Sequence, residues 1–460
     1  MIASEHARFI PPAPIPPDRD PSIAMLAWRL AKSQIEGWPR ALYEEDAWKV
    51  PLPSGALFVM SPDLVRTVLQ ERAEDFPMGA LFRRVMRPAW GRGILTAEGK
   101  EWREQRHAAA GAFRPVDMAG LAPFFAAAAE RAVVRWIAAP GGIVDVHAEM
   151  MQLTFEVILD ATLSGAEDFD REEMRGAIER LFARMGRVSI TALLLPDRHH
   201  EGRPSLGAPE RDVLLAMIGR MIARRRAAQP EGDLVDLLLT ARDPETGEGM
   251  DDELLADNLL GFILAGHETT TLALTWALFL AGSHPPTAER LRAEAVRVAG
   301  DEPIRQGDIP KLRFTRQVIS EAMRLYPPAF MLTRIARRDT ELAGHRVRAG
   351  QRVNVPIYAM HRSSERFSDP HAFDPDRFAE DRPLPDRYGY LPFGAGPRIC
   401  LGASFAMAET VTVLATLTRA MNLLPANLGQ VWPVARLSLR PRNGMPMRVA
   451  AHEPSLRQSS

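Results

Sequence analysis

Residues 393–402 read Phe393-Gly394-Ala395-Gly396-Pro397-Arg398-Ile399-Cys400-Leu401-Gly402. Cys400 is the only cysteine among the 460 residues, so it cannot close an internal disulfide. Three glycines within ten positions allow the backbone to bend tightly around the thiol. Arg398 places a positive charge near the sulfur, and the helix-forming sequence after Gly402 predicts a helix N-terminus there. Both features favour a thiolate at position 400.

A lone activated cysteine attacks a carbonyl, senses redox state or binds a metal. A nucleophilic cysteine usually needs a histidine base, and this stretch contains no histidine. Phe393 is a bulky apolar neighbour, which suits a sulfur packed under a large, flat, apolar cofactor. Haem with an axial thiolate fits best, because the electron-rich sulfur donates electron density to the iron. A buried structural cysteine in a turn is the alternative.

With this stretch the chain resembles the cytochrome P450 family, whose haem loop reads Phe, two residues, Gly, one residue, Arg, one residue, Cys, one residue, Gly. Residues 393–402 match every fixed position. The resemblance implies a mainly α fold with a small β region, in a single triangular cytochrome P450-type domain. It implies haem b (iron protoporphyrin IX) as cofactor, with Cys400 as axial iron ligand and Arg398 as partner of a propionate. The same loop adds to the cofactor site Phe393, Gly394 and Gly402.

The overall composition excludes several kinds of partner. The formal net charge is −1, so we expect no nucleic-acid partner. A single cysteine favours a reducing compartment. Residues 1–21 are polar and rich in proline, without the apolar run of a signal peptide or a membrane anchor. We therefore expect a cytoplasmic, bacterial-type protein with no membrane anchor.

The distribution of residue types predicts one large domain. No Gly/Ser-rich linker and no repeat interrupts the middle of the chain. The expected organisation is a Pro-rich N-terminal lead-in over 1–20, a cytochrome P450 haem domain over 21–451 and a flexible tail over 452–460.

A long buried helix is predicted from a cap at Asp251-Asp252 to about Ala281, before the break at Pro285-Pro286. Its middle reads Ala265-Gly266-His267-Glu268-Thr269-Thr270-Thr271. Glycine costs about 1 kcal/mol inside a helix, and a buried glutamate or threonine costs more unless it is paired. Residues that are this unfavourable in a buried helix point to function. A threonine hydroxyl that bonds to the preceding turn can open a local groove.

The family resemblance gives this segment a role in proton delivery. It implies that Glu268 and Thr269 form the acid–alcohol pair, and that Ala265 and Gly266 line the groove for O2. A threonine-rich helix with an exposed glutamate is the alternative.

Trp102 and Arg106 stand four residues apart on a predicted helix, so they share one face. An indole N–H and a guanidinium together suit a carboxylate. On spacing alone, a solvated arginine packed on a tryptophan is the favoured interpretation. The family resemblance implies that the pair binds a haem propionate, and that Arg334 is a further propionate ligand.

Glu321 and Arg324 share a helical face, a spacing that recurs elsewhere in the chain. The resemblance implies a buried cluster of Glu321, Arg324 and Arg377. One carboxylate between two guanidinium groups can be fully hydrogen-bonded away from water. We interpret this cluster as structural.

Four local expectations concern the surroundings of the site. Residues 22–36 predict an amphipathic helix, and residues 76–95 predict an irregular apolar loop beside the substrate pocket. Residues 186–211 suggest a lid. Asn443-Gly444 predicts a hairpin turn.

The resemblance implies a haem-thiolate monooxygenase, an oxidoreductase that inserts one oxygen atom of O2 into an unactivated C–H bond or epoxidises. The expected substrate is small and apolar, in the range of fatty acids, terpenoids and aromatics. No flavin or nicotinamide fingerprint is present. We therefore expect electrons from a separate ferredoxin or flavodoxin with its NAD(P)H-dependent reductase.

Two alternative functions remain open at this point. The first is a peroxygenase driven by hydrogen peroxide, against which the Glu268-Thr269 pair counts. The second is a non-catalytic haem-thiolate protein that binds or senses a ligand.

Overall fold

The computed structural model of the chain describes residues 9–17, 25, 29, 32–51, 55–162, 170–185, 197–200, 208–230 and 232–452. Three sequence expectations therefore lie wholly or mostly outside the described residues, namely the helix over 22–36, the lid over 186–211 and the tail over 452–460. No described helix has the length and apolar character needed to cross a membrane.

The protein is mainly helical, as the sequence predicts. The helices are α1 Ala41–Glu44, α2 Pro62–Arg66, α3 Ala80–Trp90, α4 Gly99–Ala110, α5 Pro115–Gly120, α6 Ala122–Ile137, α7 Val146–Thr162, α8 Arg171–Met185, α9 Pro209–Ala227, α10 Leu234–Thr240, α11 Asp252–Ser283, α12 Pro285–Ala299, α13 Arg313–Leu325, α14 Ile357–Met360 and α15 Ala403–Ala420.

The strands form small sheets around this helical body. They are β1 Ala47–Lys49, β2 Leu57–Val59, β3 Ile143–Asp145, β4 Leu332–Ile335, β5 Thr340–Leu342, β6 His345–Val347, β7 Arg352–Val355, β8 Met421–Pro425, β9 Pro433–Ala435, β10 Leu439–Pro441 and β11 Pro446–Ala451. The largest sheet has the order β1-β2-β7-β4, and β3-β11-β8 form a second sheet. The pairs β9–β10 and β5–β6 complete the β region, which confirms the predicted fold class.

Helix α11 lies at the centre and packs against α7, α9, α13 and α15. Asp251 caps it, because its Oδ1 accepts a hydrogen bond of 2.7 Å from the backbone N–H of Leu254. The helix continues through Gly282 to Ser283, slightly beyond the predicted end. A Cβ at position 282 would collide with the carbonyl oxygen of Leu423 in β8. Gly282 therefore allows strand and helix to approach closely.

The predicted irregular loop over 76–95 is wrong in part, because residues 80–90 form helix α3. Residue 79 is a glycine and cannot cap the helix with a side chain. The buried carboxylate of Asp197 does so instead, accepting bonds from the N–H groups of Ala80 (2.6 Å) and Leu81 (3.0 Å). The partial positive charge of a helix N-terminus favours this anion. Asp197 lies within 186–211, so this contact joins a described part of that segment to α3.

The predicted hairpin at Asn443-Gly444 is also wrong. Strand β10 pairs with β9, whereas β11 pairs with β3 and β8. Gly444 adopts a φ of +76° beside the carboxylate of Asp145, and a Cβ there would collide with it. The turn carries the chain from one sheet to another.

Glu321, Arg324 and Arg377 meet in a buried cluster, as expected. Glu321 and Arg324 are fully buried and joined by two hydrogen bonds of 2.7 Å, and Arg377 Nε lies 3.5 Å from Glu321 Oε1. The Arg324 guanidinium also donates to the backbone oxygens of His361 and Ala372. These partners satisfy the buried charges and tie α13 to the segment that leads towards the cysteine loop.

A second buried carboxyl group lies between α15 and α11. Glu409 is buried against Thr270, and neither Glu409 Oε1 nor Thr270 Oγ1 has a well-aligned hydrogen bond. Burial raises the pKa of Glu409 well above 4.5, despite the opposing effect of the Thr270 hydroxyl. The folded protein thus holds this proton more tightly than the unfolded chain.

We expect Glu409→Gln to flatten the pH dependence of stability. Because the folded pKa is raised, the free energy of unfolding is highest below the unfolded value near 4.5 and falls as pH rises above it. The slope from one such group is at most about 1.4 kcal/mol per pH unit. Urea unfolding between pH 4 and 8 should show Glu409→Gln overtaking the wild type at the alkaline end. Parallel curves for the two proteins would contradict this.

We expect Asp197→Asn to loosen the first turn of α3. Loss of a charged cap costs roughly 1 kcal/mol, so exchange of the Ala80 and Leu81 amide hydrogens should rise about fivefold. Hydrogen exchange of the whole protein measures this. Asp170→Asn, which removes the negative charge beside the Glu173 N–H at the start of α8, is the matched control and should leave α3 unchanged. Unaltered protection of α3 in Asp197→Asn would refute the cap.

Candidate functional site

The cysteine loop is fixed by two glycines and one backbone bond. Gly394 and Gly396 have φ values of +73° and +75°, which favour glycine. A Cβ at Gly396 would also collide with the carbonyl oxygen of Leu69. The N–H of Cys400 donates to the carbonyl oxygen of Phe393 at 2.9 Å, which closes the loop. Sequence and packing therefore hold position 400 in one place.

The thiol of Cys400 is accessible, yet burial by the surrounding protein raises its pKa. The backbone N–H of Gly402, just before α15, and the charge of Arg106 act in the opposite direction on this pKa. The expectation that Arg398 lies beside the sulfur is corrected here, since Arg106 is the arginine whose charge acts on the thiol.

Arg398 instead joins the loop to the start of α4. Its Nη2 lies 2.9 Å from Glu98 Oε2 and donates to the backbone oxygen of Ala97 at 2.8 Å. Its guanidinium carbon lies 4.6 Å from the ring centroid of Trp102, a cation–π contact. The structure thus brings together Arg398 and Trp102, which the sequence places 296 residues apart.

Arg106, Arg334 and Arg398 form a cationic cluster beside the loop. Burial, together with the charge of Arg398, lowers the pKa of Arg334 to about 10. Burial also lowers the pKa of Arg106 and of Arg398, and Arg106 repels Arg398. Glu98 is the carboxylate that offsets this charge. Buried cations of this kind fit a ligand that carries carboxylates, and the two propionates of haem match that requirement.

One face of α11 is exposed in the middle of the helix and borders an open space, the cleft. Ala265 and Thr269, one turn apart, are exposed although most of the helix around them is buried. Thr269 Oγ1 donates to the backbone oxygen of Ala265 at 2.7 Å, the local bond that the sequence predicts. A Cβ at Gly266 would lie 3.3 Å from Ile158 Cδ1 of α7. This turn therefore combines a small surface, a close helix contact and an accessible hydroxyl.

Glu268 does not share that face. Its Oε1 accepts hydrogen bonds from Ser438 Oγ at 2.6 Å and Arg440 Nη2 at 2.5 Å. The predicted acid and alcohol are adjacent in sequence but have different partners. The alternative of an exposed glutamate is also excluded, since Glu268 is buried.

Several site residues have no local sequence signal. Glu98, Ser438 and Arg440 become recognisable only when distant segments meet. Glu409 stands nine residues after Cys400 on the predicted helix, and its charge within an apolar run is the signal that could have identified it. Within the described ranges, no group of three or more His, Cys, Asp or Glu side chains is arranged to hold a metal ion.

Comparison with known proteins agrees with this geometry. Residues 47–446 match the family described as cytochrome P450. The cyclooctat-9-en-7-ol 5-monooxygenase of Streptomyces melanosporofaciens is 33% identical over 383 residues, which are 81% of each chain. A cytokinin hydroxylase of Arabidopsis thaliana is 29% identical over 364 residues, 77% of this chain and 71% of that protein.

A solved structure shows the same fold. The crystal structure of the cytochrome P450DA heme domain superposes with a TM-score of 0.80 at 25% identity, covering 97% of this chain and 98% of that one. Since sequence, family pattern and fold agree over most of its length, this chain belongs to the cytochrome P450 family.

Proposed function

We propose that the chain is a haem-thiolate monooxygenase that hydroxylates or epoxidises a small apolar substrate, with O2 and electrons from a separate ferredoxin or flavodoxin and its NAD(P)H-dependent reductase. Its haem domain would span residues 21–451. Membership of the family makes the protein an oxidoreductase of the monooxygenase class and implies haem, O2 and a redox partner. The observation that carries the proposal is the accessible thiol of Cys400 beside three partly or fully buried arginines.

The proposed haem site uses the residues described above. Cys400 Sγ would bind the iron, with Phe393, Gly394 and Gly402 holding the loop around it. The two propionates would be held by Arg106, Arg334, Arg398 and Trp102. When bound, haem supplies O2 activation, which the electron-donating thiolate promotes. The fit is supported by the cluster of cations, whose mutual repulsion a dianionic ligand would relieve.

Four residues of α11 would deliver protons and leave room for O2. Ala265 and Gly266 would leave room for O2, because they present little or no side chain. Thr269 Oγ1 would pass a proton into the cleft, and Glu268 would return one to Thr269. Thr269 is accessible on the cleft face, which supports its role. Glu268 would have to leave Arg440 to reach it.

An apolar substrate is supported by the residues near the loop. Leu332 Cδ1 lies 3.7 Å from the position that a Cβ on Gly394 would occupy, and the neighbouring Met331 is only partly buried. The relatives are named for different substrates, a cyclooctatenol and a cytokinin, so their names do not narrow the substrate class of this chain further. We propose that the substrate is a fatty acid, a terpenoid or an aromatic compound.

The function is tested first by absorbance and then by turnover. The purified protein should show the red-shifted band of a thiolate-ligated haem when reduced under carbon monoxide. Fatty acids, terpene alcohols and aromatics should then be screened for a shift of the ferric haem spectrum. Compounds that bind should give oxygenated product with O2, a surrogate ferredoxin and its reductase. Product with peroxide alone would support a peroxygenase, and binding without product would support a sensor.

We expect Arg334→Met to weaken haem retention while stabilising the haem-free chain. The guanidinium is buried and repelled by Arg398, so its removal relieves this repulsion in the haem-free chain but deletes a propionate partner. A charge-assisted hydrogen bond is worth about 1.5–3 kcal/mol, so transfer of haem to apomyoglobin should be at least about tenfold faster. Arg338→Met is the control, because Arg338 is exposed and pairs with Asp75. Equal transfer rates for the Arg334 variant and the wild type would contradict the propionate role.

We expect Thr269→Ala to divert electrons from product to hydrogen peroxide. Loss of the hydroxyl removes proton delivery at Oγ1, so product per NAD(P)H should fall about tenfold or more. Thr269→Ser keeps the hydroxyl and should retain most of the yield. The measurement is the ratio of product to hydrogen peroxide in the same reaction. If this ratio in Thr269→Ala equals that of the wild type, the hydroxyl has no role in proton delivery.

A further inference from the structure

The buried Glu268 of α11 is held by an arginine side chain that reaches solvent. Both bonds to Glu268 end on the same atom, Oε1, with Ser438 and Arg440 as donors. The Glu268 side chain is 11% exposed, whereas that of Arg440 is 43% exposed. Arg440 therefore connects a buried carboxylate to the protein surface, on a side of α11 that Thr269 does not share.

We propose that Ser438 and Arg440 form the solvent-facing end of the proton route to Thr269, and that Arg440 is the positioning residue that holds Glu268 there between proton transfers. This inference rests on the proposed function of the Glu268–Thr269 pair. It adds the direction from which protons enter and two residues, Ser438 and Arg440, that no motif identifies.

The backbone between these two residues is firmly anchored. The N–H of Leu439 donates to the carbonyl oxygen of Pro328 at 3.1 Å, and its own carbonyl accepts from Trp276 Nε1 at 3.0 Å. Trp276 stands two turns after Glu268 on α11. In extended backbone, side chains two residues apart point to the same side. Ser438 and Arg440 are therefore presented together to Glu268 by a segment that is tied to the same helix.

The charges around Glu268 make Arg440 its counterion. His147 and His267 also face this region, and Asp145 acts on His147. Burial lowers the pKa of His147 and of His267, so both rings are neutral near pH 7. The remaining cation in this group is the Arg440 guanidinium. A carboxylate with so little exposure requires such a partner.

The proposed transfer conserves every proton. An acid in the solvent gives a proton to the Glu268 carboxylate beside Arg440. The neutral carboxyl is no longer attracted by the guanidinium and turns towards Thr269. It donates to Thr269 Oγ1, which passes its own hydroxyl proton into the cleft. The carboxylate then returns to Arg440. Each protonation removes the attraction that holds the carboxyl at Arg440, so the acid can leave it repeatedly.

The test compares Arg440→Leu, Arg440→Lys and Ser438→Ala with a matched control, Arg442→Leu, in the haem-loaded enzyme. Arg442 is 46% exposed and pairs with Glu36, away from Glu268. We expect Arg440→Leu to lower product per electron pair about threefold or more and to raise the solvent isotope effect on kcat. Ser438→Ala should show a smaller change of the same sign. Arg440→Lys should restore both quantities, and Arg442→Leu should match the wild type.

Glu268→Gln separates failure of this inference from failure of the proposed function. If Glu268→Gln keeps the wild-type yield, the proposed role of the acid is wrong. If Glu268→Gln lowers the yield but Arg440→Leu does not, the role of Arg440 is overturned. Urea unfolding of the full chain gives a readout independent of turnover. The two substitutions combined should shift the midpoint by less than the sum of their separate shifts, and additive shifts would overturn the pairing.

Discussion

The rest of the site depends on a set of positive charges that the fold buries. Arg106 and Arg334 reach the cysteine loop from distant parts of the chain and join Arg398 of the loop itself, and burial lowers the pKa of each guanidinium. A protein interior tolerates such a group only when anions offset it. Glu98 offsets part of the charge. Such a cluster favours an anionic ligand, and the thiol of Cys400 lies in the same loop as Arg398.

Successive residues of α11 connect that site to different parts of the fold. His267 bonds to the backbone of α7 through Nε2 and Met151 O at 2.9 Å, whereas Glu268 bonds to the segment of β10. Thr269 faces the cleft, and Thr270 lies against Glu409 of α15. Because each residue is rotated by about 100° from the one before it, these four successive side chains point in different directions and have different polar surroundings. Any displacement of this turn acts on the cleft and on three neighbouring elements at once.

Local signals in the sequence predict much of this arrangement. The cap at Asp251, the glycines of the cysteine loop and the bond from Thr269 to the preceding turn all depend on residues within a few positions. Contacts across long separations were not predictable. Helix α3 lacks a local cap and is capped by Asp197, 117 residues after Ala80. Arg398 was expected to act on the sulfur because of its spacing, yet the fold directs it to Trp102 and Glu98.

The separation of Glu268 from Thr269 has a physical reason. A carboxylate that faced the cleft would lose its pairing with the Arg440 guanidinium, which offsets its charge. In the structure, Arg440 stabilises that charge, while the Thr269 hydroxyl is satisfied by Ala265 O. Both groups thus have partners of their own, so the proposed proton transfer requires each of them to leave its partner first. Under that proposal, proton delivery is conditional on a local rearrangement, although acid and alcohol are neighbours in the chain.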